Sequence, residues 1–191
     1  MEKSITYFEK TGKDNTDELI ACVKERLNEG DINYVAIASA SGESALKLYE
    51  SLADLDVTIV NCTHHMGFKE PNKADITPEM IAKLEDLGIT TFMGSHALSA
   101  TGRGITNKFG GFTPIDMIAA SFRCICQGFK VCAEIAIMLA DAGLVPVGEE
   151  IITIGGTAKG VDTAVVMTAA NMKNIIVSDV IVVPFFVILL F

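Results

Sequence analysis

Short β-branched apolar runs alternate with amphipathic helical segments along most of the chain, and this alternation constrains the fold more than any other feature. Five runs have the length and composition of buried strands: 34–38, 57–61, 89–93, 150–154 and 163–168. Strands that alternate with helices pack as a mostly parallel sheet covered by helices. The sequence therefore predicts one α/β domain over residues 1–191.

Helix boundaries follow from polar side chains that cap N-termini. Such residues predict where three helices begin: Asn15 (in a capping box with Glu18), Thr77 and Thr113. The third helix is expected to extend over 113–142 with a break near Gly128. The Gly-, Ser- and Thr-rich segment 94–112 before it is predicted to be irregular.

Charge and cysteine content exclude some classes of partner. The formal net charge is −9 and no Lys/Arg cluster stands out, which disfavours nucleic acid and anionic membranes as partners. Five cysteines without a C-x-x-C pair indicate reduced thiols and a cytoplasmic location.

The last residues, VIVVPFFVILLF, are strongly apolar. They are too few to span a bilayer as a helix, and Pro184 interrupts them. We expect a terminal strand over 177–183 and a tail that is buried in a subunit contact, which favours a homo-oligomer.

Polar residues cluster directly after the predicted strands. All three histidines, His64, His65 and His96, follow the second and third strands, and glycines and hydroxyl residues dominate the other loops. Ligands of open α/β sheets bind outside the carboxyl ends of the strands. We therefore expect these loops to converge on one binding crevice.

The loop ASASGES, residues 38–44, joins the first strand directly to a helix. Free N–H groups at a helix N-terminus attract anions, Gly42 would allow close approach, and Ser39, Ser41 and Ser44 add hydroxyl donors. The pattern predicts a phosphate cradle. The alternative is that Ser41 only caps its helix, and the carboxylate of Glu43 favours that alternative.

Other features allow more than one interpretation. A metal site on the histidines is disfavoured because His64 and His65 point in opposite directions in an extended chain. Lys130 and Glu134 are predicted to form a solvent-side ion pair, with a buried carboxylate near the ligand as the alternative. The segment 102–111 is read either as a lid or dimer contact or as an ordinary surface loop.

Long stretches of the chain resemble a known family. SGESA (41–45), directly after a strand, is similar to the effector-phosphate loop in the C-terminal domain of pyruvate kinase. The longer stretches are YFEKTGKDNT, THHMGF, GSHALSATGRGITNKFGG, QGFKVCAEIAIMLADAGLVPVGEE and IGGTAKGVDTA. They are similar to a small family of stand-alone, mainly archaeal proteins that resemble the C-terminal domain of pyruvate kinase. The resemblance implies a three-layer α/β fold with a mostly parallel five-stranded sheet of order 3-2-1-4-5, whose last strand is antiparallel. It does not extend to the catalytic barrel of pyruvate kinase, so kinase activity is not implied.

The resemblance also implies a flavin mononucleotide (FMN) cofactor, without an established reaction. The phosphate would lie on the serine loop and the flavin in the neighbouring loops. The implied cofactor-binding residues are Ser39, Ser41, Gly42, Glu43, Ser44, Thr63, His64, His65, Met66, Gly67, His96, Gly156 and Thr157. A flavin-dependent oxidoreductase and a non-catalytic sensor of another phosphorylated small molecule remain open, and no catalytic residue or metal ligand is assigned.

Overall fold

The computed structural model describes residues 5–174 and 182–189, in which seven strands form one sheet. The strands are β1 (Ile5–Phe8), β2 (Tyr34–Ala38), β3 (Thr58–Thr63), β4 (Thr90–Met93), β5 (Glu150–Gly155), β6 (Thr163–Thr168) and β7 (Val182–Leu189). In the same residues there are six α-helices: α1 (Thr16–Leu27), α2 (Glu43–Leu52), α3 (Pro78–Asp86), α4 (Ala100–Phe109), α5 (Pro114–Arg123) and α6 (Gln127–Asp141).

The sheet confirms the α/β class and its mostly parallel character, but it has more strands than the predicted five. The order of the whole sheet is β1-β7-β6-β5-β2-β3-β4, which differs from a five-stranded 3-2-1-4-5 because β7 and β1 extend the sheet beyond β6. The predicted strands themselves, β2 to β6, keep the relative order 3-2-1-4-5. Strand β6 is antiparallel to both of its neighbours, whereas the other described pairs are parallel.

Two apolar clusters place helices on both faces of the sheet. On one face α1, α2 and α3 pack around Leu19, Leu48 and Leu84. On the other face α6 packs through residues such as Ala136 and Leu139. Buried residues alternate between the two faces along β2, β3, β5 and β6, as expected for strands that are covered on both sides.

The described part of the C-terminal strand is β7, Val182–Leu189. Residues 177–181 of the predicted strand 177–183 lie outside the described residues, and β7 continues from 184 to 189, where a tail was expected. It pairs with β6 and β1. No described helix combines the length and apolar character needed to cross a membrane.

Several helix predictions need correction. Asn15 forms no capping box; its side-chain amide donates instead to the carbonyl of Lys10. The segment predicted to be irregular contains α4, whose Thr106 hydroxyl donates to Asp116 of α5 at 3.1 Å. The tract from Thr113 divides into α5 and α6 at 124–126, ahead of Gly128. The caps at Thr77 and Thr113 are confirmed.

Chain direction in the sheet creates a binding edge. From β2 the chain proceeds outward to β3 and β4, and it then returns to β5 on the other side of β2. The point where the strand order reverses therefore lies between β2 and β5. Loops at such a point leave a crevice outside the carboxyl ends of the strands.

Candidate functional site

A cavity of about 920 Å³ lies at this edge of the sheet. Its walls include the loops after β2, β3, β4 and β5, together with parts of α2, α4 and α6. The volume is at the upper end of the range of roughly 300–1,000 Å³ found for small-molecule sites. The convergence predicted for the polar loops is therefore present.

The serine loop is partly closed by its own hydrogen bonds. Ser39 is buried, and its hydroxyl oxygen accepts the N–H of Ser44 at 3.1 Å. Its carbonyl accepts the N–H of Gly42 at 3.3 Å. The helix N-terminus is thus capped by Ser39 rather than by Ser41. No hydrogen bond from elsewhere in the described residues engages the side chains of Ser41 and Ser44, which line the cavity.

Gly42 has a packing role that differs from the predicted one. Its φ of 88° lies in the left-handed region, and a Cβ atom added there would lie 2.6 Å from the side chain of Met80. Gly42 therefore allows the sharp turn into α2 and the close approach of α3. It does not line the cavity, so the interpretation of Gly42 as the point where an anion approaches the backbone finds no support in this geometry.

His64 is held by a carboxylate in the loop after β3. Its Nδ1 lies 2.5 Å from Oδ2 of Asp75, and Nζ of Lys69 lies 3.1 Å from the same oxygen. The hydrogen bond with His64 and the Lys69 ammonium hold the pKa of Asp75 below its usual value. The ionised carboxylate fixes the orientation of the imidazole at the cavity wall.

An aromatic cluster surrounds this histidine. The ring of Phe68 stacks on His64 with centroids 3.9 Å apart, and His96 meets His64 edge-on at 5.6 Å. His65 packs against the same cluster from outside the cavity, and Met66 is exposed. Both adjacent imidazoles thus pack against Phe68 and His96, but only His64 lines the cavity.

A buried ion pair forms another part of the wall. Lys130 and Glu134 of α6 are only 4% and 5% exposed, and their charged atoms lie 2.5 Å apart. The second carboxylate oxygen of Glu134 accepts the N–H of Leu98 at 2.8 Å. The predicted solvent-side pair is therefore wrong, because α6 is covered on nearly all sides.

Burial also affects the titration of His96. Desolvation lowers the pKa of this imidazole, although the nearby carboxylate of Glu134 acts in the opposite direction. Burial therefore favours the neutral imidazole of His96, the form that can both donate and accept a hydrogen bond at the cavity wall.

Basic side chains dominate the charge of the cavity. Seven of the 15 lysines and arginines of the chain line it, against three of its 24 acidic residues. The basic residues are Lys13, Lys47, Lys69, Arg103, Arg123, Lys130 and Lys159, and the acidic residues are Glu43, Asp75 and Glu134. An acidic protein thus contains a basic crevice.

Eight of the predicted cofactor-binding residues line this cavity: Ser39, Ser41, Glu43, Ser44, Thr63, His64, His96 and Gly156. Five others do not line it: Gly42, His65, Met66, Gly67 and Thr157. The N–H of Thr157 donates to Asp162 at 3.2 Å, and that of Gly67 donates to the carbonyl of Lys73. These two residues shape their loops.

Most of the basic residues of the cavity were not predicted from the sequence. Lys47 lies one turn into α2 after Ser44, and Lys159 lies in the glycine-rich turn after β5, so both had a positional signal. Lys13 had none. It reaches the cavity because the turn around Gly160 packs against it, and a Cβ atom added at Gly160 would lie 2.5 Å from Cα of Lys13.

Neither a metal centre nor a family match adds to this description. Within the described residues, no group of three or more His, Cys, Asp or Glu side chains is placed to hold a metal ion. A search of the chain against known protein families finds no match.

Proposed function

We propose that the cavity binds a phosphorylated nucleotide, with FMN as the ligand. The observation that carries this proposal is the concentration of basic side chains in one crevice of a chain with a net charge of −9. Charge-assisted hydrogen bonds from lysine and arginine are the usual means of holding phosphate.

The phosphate fits best at basic cluster 1, which we define as Lys13, Lys47 and Lys159. These residues line the cavity on the side of α1 and α2, near the free hydroxyls of Ser41 and Ser44. Nζ of Lys47 forms an ion pair with Asp17 at 2.8 Å, but in the described part of the chain no carboxylate forms an ion pair with Lys13 or Lys159. The unpaired charges favour an anionic ligand.

The rest of the cavity suits a flat and largely apolar ring. Phe68 and His64 present a stacked aromatic pair, and α6 contributes Val131, Ile135 and Met138 to the lining. Small-molecule sites typically combine such apolar surfaces with a few polar groups that fix orientation. When bound, FMN would supply one- and two-electron redox chemistry.

The visible absorption spectrum of freshly purified protein tests the proposal. We expect flavin absorbance and release of free FMN on denaturation; for protein purified without ligand, we expect added FMN to restore the spectrum. A Lys13→Gln/Lys159→Gln variant should bind FMN more weakly, whereas Lys10→Gln, which changes an exposed lysine outside the cavity, should leave the affinity unchanged. Colourless protein that takes up no FMN would contradict the proposal.

A second candidate is a non-catalytic sensor of another phosphorylated metabolite. It is favoured by the number of basic residues, which exceeds what a single phosphate group needs. A thermal-shift screen of nucleotides and sugar phosphates distinguishes the two. Stabilisation by FMN supports the flavoprotein, and stabilisation only by ligands with more phosphate groups supports the sensor.

A further inference from the structure

The wall of the cavity opposite cluster 1 carries a separate set of cations. We define basic cluster 2 as Arg103 of α4, Arg123 of α5 and Lys130 of α6, all of which line the cavity. Helix α6 covers the other face of the sheet from α1 and α2. The two clusters therefore approach the carboxyl edge from opposite sides.

Lys130 has hydrogen-bonding capacity to spare. Its residue is 4% exposed, and Nζ donates to Oε2 of Glu134 at 2.5 Å. An ammonium group has three donors. No other acceptor for Nζ is found among the residues that the structure describes, so two buried donors remain for a ligand.

Glu134 cannot neutralise the whole cluster. One of its oxygens binds Lys130, and the other accepts the N–H of Leu98. In residues 5–174, neither Arg103 nor Arg123 forms an ion pair with a carboxylate. Within the same residues, the one side-chain hydrogen bond of Arg123 is from Nε, which donates to Gln127 at 2.9 Å.

Like charges held together in this way repel one another. Burial is the main cause that lowers the pKa of Lys130; Glu134 opposes it, and the charges of Arg123 and Arg103 add smaller effects that also lower it. An anion between the three side chains would relieve the repulsion. Guanidinium groups match the planar fork of a carboxylate and the oxygens of a phosphate equally well.

We propose that Arg103, Arg123 and Lys130 form a second oxyanion site, which binds the carboxylate or phosphate of a small molecule sharing the cavity with the nucleotide. The identity of the neighbouring nucleotide rests on the proposed function, but the oxyanion site does not. FMN carries one anionic group, which cluster 1 accommodates. Cluster 2 therefore selects a second, anionic molecule.

Titration calorimetry at constant ionic strength tests the site, with inorganic phosphate and oxalate as probes. The background is Lys13→Gln/Lys159→Gln, in which cluster 1 is disabled. We expect at least one probe to bind, and Arg103→Gln/Arg123→Gln to weaken binding by at least about tenfold. Phosphate alone indicates a phosphorylated molecule, and oxalate alone indicates a carboxylate.

The matched control is Lys108→Gln, which removes an exposed charge from α4 outside the cavity. It should leave probe binding unchanged. Absence of probe binding in the cluster 1 background would overturn the proposal. Equal weakening by Lys108→Gln would also overturn it, because general surface charge would then explain the binding.

FMN titration separates this proposal from the proposed function. Protein with wild-type cluster 1 and the Arg103→Gln/Arg123→Gln changes should still bind FMN. Loss of FMN binding would show that cluster 2 holds the nucleotide itself, which contradicts a second site. If no form of the protein binds FMN but the probes behave as expected, the flavin proposal fails and the oxyanion site stands.

Discussion

Helices α4 and α6 line the same cavity but belong to different parts of the structure. Residues 128–140 of α6 are buried apart from Val131, and α6 packs against β2, β5 and β6. Helix α4 has no buried residue and packs mainly against α5. One wall of the site is therefore also the core of the protein, whereas the other lies on its surface.

The outer wall is attached by a few polar links. The hydroxyl of Thr106 donates to Asp116 of α5, and the N–H of Leu98, just before α4, donates to Glu134 of α6. Surface elements with few apolar contacts open locally at low cost in free energy. Lys130 is therefore held in place by the core, whereas Arg103 can adjust to a ligand.

The largest effect is expected when the buried ion pair of Lys130 and Glu134 is broken. Glu134→Gln leaves the buried ammonium of Lys130 without a charged partner, which typically lowers the free energy of unfolding by about 3–5 kcal/mol. Urea denaturation measures this loss. In the exposed pair of Lys73 and Glu70, Glu70→Gln should cost only about 0–1 kcal/mol. Equal losses in the two variants would contradict the assignment of α6 to the core.

A glycine in each helix provides the next test. A Cβ atom at Gly128 of α6 would lie 2.0 Å from Oγ1 of Thr163, so Gly128→Ala should lower the free energy of unfolding by about 1–3 kcal/mol. At Gly104 of α4 no other atom lies within 4 Å of the added Cβ. Gly104→Ala should therefore stabilise the protein by up to about 1 kcal/mol. A loss at Gly104 as large as that at Gly128 would show that α4 is packed.

A smaller, local effect is expected at Asp116. Hydrogen bonds from Thr113 lower the pKa of this carboxyl group, so its contribution to stability is present above the ordinary pKa of about 3.9 and is lost as the pH falls below it. Asp116→Asn at neutral pH should reduce the hydrogen-exchange protection of α4, but not of α6.

The control for Asp116→Asn is Asp141→Asn at the end of α6, where the carboxylate accepts a hydrogen bond from the side-chain amide of Asn171. It should leave α4 unchanged. If neither Asp116→Asn nor acid changes the hydrogen-exchange protection of α4, other contacts hold this helix in place.

The smallest effect concerns the reactivity of two cysteine thiols, one on the surface at the end of α5 and one in the core within α6. Cys124, at the end of α5, is exposed, whereas Cys132 of α6 is fully buried and burial raises its pKa. A thiol reagent should label Cys124 rapidly and Cys132 only after unfolding. Cys124→Ser should remove the fast phase, and rapid labelling of Cys132 in the native protein would contradict the rigid wall.

Much of the site could be predicted from the sequence because its loops directly follow strands that the sequence pattern identifies. Parallel strands place their following loops at one edge, so the approach of His64 and His96 to the serine loop followed from the strand pattern alone. The basic character of the cavity did not follow, because Lys13 and Lys159 meet only through packing of distant segments.

The remaining errors have a similar physical origin. Helix α4 was missed because its glycines and threonines have low helix propensity, and its attachment to α5 through Thr106 is a tertiary contact. Burial of Lys130 could not be recognised from an i, i+4 spacing that is usual on exposed helices. Strand β1 was missed because it gains its partner only from β7, at the far end of the chain.

The central claim, that the basic crevice holds a phosphorylated flavin, is tested most directly by comparing FMN with riboflavin, which lacks the phosphate. Fluorescence titration of the wild-type protein should give an affinity for FMN at least about tenfold higher than for riboflavin. The difference should shrink in Lys13→Gln/Lys159→Gln. Equal affinities for FMN and riboflavin, or no binding of either, would contradict the account.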